Sequence, residues 1–166
     1  MSLGTNILCL STPGRVVAGV DPPSVAQAND FTDWLAELPP AAWLEVGRSI
    51  VGDRPQGAAR DTAWTALQAA VADEDLRIAA WCVRDAVDTS AFLASRAARR
   101  WSNVERRLFA AAHRAAESAA LALLAGSLLP VDYFMILYGP FTNRVGGARA
   151  SPSMPAQRRV ATGRTG

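Results

Sequence analysis

The chain has 166 residues, of which 50% are hydrophobic, 19% charged and 7% aromatic, so it can form one domain with a mostly aliphatic core. Wholly disordered and collagen-like chains are excluded. All 17 basic residues are arginine against 15 acids, for a net charge of only +2, and alanine, the best helix former, makes up about a fifth of the sequence.

Residues 1–29 contain Pro13, Gly14, Gly19, Pro22 and Pro23 without a helical period, and read as an extended or poorly ordered segment. Val16, Val17 and Val20 offer one short strand at most. Met1 to Leu10 lacks a basic n-region and has only a short apolar run, so no secretory signal is expected. Cys9 and Cys82 are far apart and lack the spacing of a zinc or redox motif, which fits a reducing, cytoplasmic setting.

The helical domain is expected over residues 30–145. Asp30 is read as an N-cap, followed by Phe31, Trp34, Leu35 and Leu38 at helical spacing and a stop at Pro39. Pro40 suits the first turn of a second helix, with Trp43, Leu44, Gly47, Ile50 and Val51 on its apolar side and Gly52 as its end. After a loop at Asp53 to Gly57, a third helix spans about Asp61 to Ala72 with Trp64, Leu67 and Val71 on one side. The acids Asp73, Glu74 and Asp75 then favour the positive N-terminal end of a long helix from about Leu76 to Arg99.

On a helical wheel Ala79, Val83, Ala86, Ser90, Leu93 and Ala97 of this helix face inward, and Arg77, Arg84, Asp88, Ser95 and Arg99 face outward. Ser102 and Glu105 have the spacing of a capping box, which starts a fifth helix from Asn103 to about Ala125. Its inward residues are Val104, Leu108, Ala112, Ala115, Ala119 and Ala122. A last short helix, Val131 to Tyr138, is apolar on nearly all sides and is closed by Gly139 and Pro140. Residues 146–166 have almost nothing to bury and read as a disordered, Arg-containing tail. The predicted fold is therefore all-α, about six helices in a bundle built on a long antiparallel hairpin (about 76–99 and 103–125). Trp34, Trp43, Trp64, Phe109 and Phe134 are expected in the core.

Residues 119–141 are apolar enough to suggest a membrane span, but Gly126, Ser127, Pro130 and Asp132 interrupt them in the pattern of a helix end, a turn and a helix start. A core segment is expected instead. Tyr133, Phe134, Ile136, Leu137, Tyr138 and Phe141 exceed what a short terminal helix normally hides, which makes a homodimer contact through this helix an expectation.

No phosphate loop, nucleophile elbow or catalytic triad is present, and the chain has a single histidine. Glu105, on the inner side of its helix, is explained by capping. His113 and Glu117 stand at a metal-binding spacing but lie beside Arg106 and Arg114 on the polar face, and no metal site and no cofactor is expected. Asp88 follows Arg84 by four residues, as in a surface ion pair, which leaves Asp85 the better placed carboxylate for chemistry.

The densest charge feature is Arg96, Arg99, Arg100, Arg106, Arg107 and Arg114, opposed between Thr89 and Ala116 only by Glu105. Such a cluster has the footprint of a surface for nucleic acid or an acidic protein, although a solvated face in an Arg-biased composition has the same look. Arg144, Arg149, Arg158, Arg159 and Arg164 make the tail basic as well. Three functions follow: first a non-enzymatic interaction or regulatory module, second nucleic-acid binding through the arginines, and third an enzyme or ligand binder with a polar pocket near Trp81, Arg84 and Asp85.

Overall fold

The computed structural model describes residues 22–52 and 57–142, and the expectations for residues 1–21, for Cys9 and for the tail lie outside them. The described residues form six helices: α1 (Pro22–Glu37), α2 (Pro40–Gly52), α3 (Gly57–Val71), α4 (Glu74–Ala98), α5 (Asn103–Ala125) and α6 (Val131–Thr142). A single 3₁₀ turn, Gly126–Leu128, joins the last two. The fold is an all-α helical bundle.

Three boundaries differ from expectation. Helix α1 starts eight residues before Asp30, inside the segment read as extended. Proline is tolerated in a first turn, where no amide hydrogen is needed, and Val25, Ala28, Phe31 and Leu35 then continue one stripe into the core. Helix α3 starts at Gly57, also ahead of its expected start at Asp61. Helix α6 runs through Pro140 to Thr142 rather than closing at Gly139. Phe141 explains the extension, since its ring meets Phe31 edge-on at 5.2 Å and Trp34 at 6.3 Å. Ser102 caps α5 as expected, accepting from the Glu105 amide at 3.2 Å, and Asp73, in the acidic run expected at the start of α4, caps that helix by accepting from the Asp75 amide at 3.0 Å.

Helix α5 is the hub, touching all five other helices, and α2 packs on it more extensively than α4 does. The bundle is therefore organised around one central helix rather than around the pair α4 and α5. Gly47 is the cause. A Cβ at this position would overlap the backbone carbonyl of Leu108, so only glycine lets α2 and α5 come this close. From Ala119 to Ala125 every residue of α5 is buried.

The helical wheels are partly corrected. Ala79, Val83, Ala86 and Ser90 are buried, but Leu93, Ala97 and Val104 lie on the outside, with Val104 66% exposed. These three occupy the ends of α4 and α5 nearest the turn, and on α4 the buried face there passes through Ala91 and Ala94 instead of Leu93. Trp43 and Phe134 are fully buried, whereas Trp34, Trp64 and Phe109 are partly buried at the core's edge.

Phe134, Leu137, Tyr138 and Phe141 of α6 are also buried, so the apolar side from which a dimer was expected is mostly covered within the chain. Burial pushes the Tyr138 phenol above its ordinary range. One helical stretch, Asn103–Leu128, is long and apolar enough to cross a membrane, and 61% of its apolar window is buried inside the bundle. Cys82 is buried and disulfide-bonded.

Candidate functional site

The chain reverses between α4 and α5 in four residues, and it does so under strain. Arg99 has φ 56° and ψ −48°, and the Arg100 amide donates to the Ala98 carbonyl at 2.6 Å. That combination is a γ-turn of the rare, positive-φ kind. Glycine would adopt it freely, and an arginine there costs about 1–3 kcal/mol.

The turn brings Arg99, Arg100 and Arg106 to one cleft of about 260 Å³, lined also by Ser95, Trp101 and Phe109, with no acid in its wall. The aromatic floor is anchored in the core: Phe109 lies 4.4 Å from Trp101 and 5.4 Å from the buried Trp43, ring centre to ring centre. The indole N–H of Trp43 is buried without a hydrogen-bond partner. Of the six arginines singled out by sequence, three therefore converge. Arg96 instead lies over the Phe92 ring at 5.9 Å, Arg107 is exposed, and Arg114 lines a different cleft.

That second cleft, about 460 Å³, lies between α2, α3, α5 and α6 and is lined by Arg60, Asp61, Trp64, Arg114, Glu117 and Ser118 together with apolar residues. Sequence reasoning missed it because its polar groups come from helices whose order of packing no periodicity reveals.

A polar seam adjoins the second cleft through Glu117. Arg84 pairs with Glu117 at 3.3 Å and Asp88 with His113 at 2.7 Å, each pair equally far from the turn along the two helices. The expected ion pair within α4, Arg84 with Asp88, is replaced by these two links across to α5. Arg84 also donates to the side-chain oxygen of Gln68 on α3 at 3.3 Å. The matching four-residue spacings of residues 84 and 88 and residues 113 and 117 were a signal for this, usable only once the turn was located. Asp88, His113 and Glu117 thereby present donor atoms within 4.8 Å of one another.

The residues expected to form a pocket, Trp81, Arg84 and Asp85, fall outside these two clefts. Trp81 is 62% exposed, Asp85 points to solvent, and Arg84 turns to the seam. Comparison with protein-family models, curated proteins and solved structures finds no match to this chain.

Proposed function

We propose that this chain is a binding module rather than an enzyme, and that the cleft at the α4–α5 turn takes an anionic polymer, single-stranded nucleic acid above all. One observation carries the reading: Arg99, Arg100 and Arg106 share a cleft with two aromatic rings and no acid. Guanidinium groups bind phosphate in bidentate fashion, and the half-buried Trp101 ring offers a surface on which a base of any sequence can stack. An acidic protein would satisfy the arginines but would leave the rings without bases to stack.

The test is fluorescence anisotropy of a labelled single-stranded oligonucleotide with the full chain at low and moderate salt. Affinity should fall with salt, and Arg100→Gln with Arg106→Gln should flatten that dependence by about 0.7 in log–log slope for each phosphate no longer neutralised. A second variant neutralises Arg144, Arg149, Arg158, Arg159 and Arg164. Absence of binding at low salt, or binding that only the tail variant removes, overturns the proposal.

A cytoplasmic setting belongs to the same reading, and counting thiols in unreduced, denatured protein tests it, because disulfides persist in oxidising compartments.

A further inference from the structure

We propose that Asp88, His113 and Glu117 form a binding site for a divalent transition-metal ion, with zinc the best match. The spacing of His113 and Glu117 sets two donors one turn apart on α5, which is too little for a site. The fold adds Asp88 from α4, and the three donor atoms lie within 4.8 Å of one another. Ligands bound to zinc at about 2.0–2.2 Å sit roughly 3–3.5 Å apart, so small side-chain rotations close the remaining gap.

The donor set selects the ion. One imidazole with two carboxylates suits zinc and its neighbours, whereas calcium and magnesium prefer oxygen donors throughout. The side chains are 58%, 33% and 27% exposed for Asp88, His113 and Glu117, so an ion can enter from solvent and keep water at a fourth position.

Arg84 is the built-in competitor. Its guanidinium already neutralises Glu117 at 3.3 Å, and it must retreat when a dication arrives. Gln68 gives it a partner to retain. The metal site and the Arg84–Glu117 pair therefore oppose each other, which a seam that exists only for structure would not predict. The site uses none of the residues lining the turn cleft.

The experiment is calorimetric titration of the untagged full chain with zinc chloride in metal-free buffer, with cobalt(II) visible absorption as a report on the ligand field. One ion per chain is expected. His113→Ala should weaken binding by at least the roughly tenfold seen when mere supporting residues of metal sites are lost, and the isosteric Asp88→Asn and Glu117→Gln should weaken it too. Arg84→Gln should tighten it. Failure of the wild-type chain to bind stoichiometrically overturns the proposal. So does binding that is unchanged in Asp88→Asn and Glu117→Gln, the two variants least able to disturb the fold.

Discussion

Helix α5 has two segments that differ in composition and in surroundings, the first charged and the second rich in alanine and leucine. From Asn103 to Ala110 no residue is buried, and the segment carries Arg106 and Arg107 with Val104 facing water. From Ala111 onward the helix enters the bundle, and its last seven residues are buried on all sides. The boundary falls where Gly47 of α2 meets the Leu108 backbone. Burial here follows composition as well as position in the bundle. The same alanine- and leucine-bearing helix serves as the rim of a cationic cleft at one end and as the core at the other.

The contrast can be tested by substitution, and the largest effect belongs to the buried half. Leu121→Ala should destabilise by about 2–5 kcal/mol in denaturant unfolding, whereas Val104→Ser in the exposed half should stay within about 0.5 kcal/mol. Equal destabilisation at the two positions would break the distinction. Gly47→Ala tests the boundary itself. Forcing α2 away from Leu108 should cost about 1–3 kcal/mol and shift the Phe109 and Trp101 rings, which is visible as a change in tryptophan fluorescence.

Arg99→Gly should act in the opposite sense. Relief of the γ-turn should raise stability by about 1 kcal/mol while lowering polyanion affinity, so that function and stability separate at one residue. The smallest effect is expected at Asp33 on α1, the helix that covers the buried half. Burial first, then Asp30 and Glu37, raise its carboxyl above the ordinary range. A raised pKa in the fold means that stability is greatest with Asp33 protonated and is lost as pH rises through the carboxylate range. Asp33→Asn should accordingly raise the melting temperature slightly at neutral pH, and the gain should vanish in acid.

Local signals were strong where a residue's neighbours along the chain dominate its energy. The cap at Ser102, the acidic start of α4, the start of α2 at Pro40 and the break at Gly126 were all readable, because each depends on backbone groups within a few residues. Signals failed at the margins of the bundle. Leu93 and Val104 lie on helical stripes as apolar as the core's, and nothing in periodicity says that no partner reaches them. The clustering of arginines at the turn was legible, but that Arg99, Arg100 and Arg106 would share a cleft while Arg114 lined another was not.

By itself, then, the sequence determined an alanine-rich helical chain, the position of most breaks and a basic turn, since helix propensity, capping and charge act over one or two turns. The tertiary structure alone decided that α5 is the hub, that Asp88 meets His113 and Arg84 meets Glu117, and that Trp43 and Phe109 support Trp101 beneath the arginines. Those outcomes depend on how closely helices distant in sequence approach, and one glycine, Gly47, holds its helix against the backbone of α5.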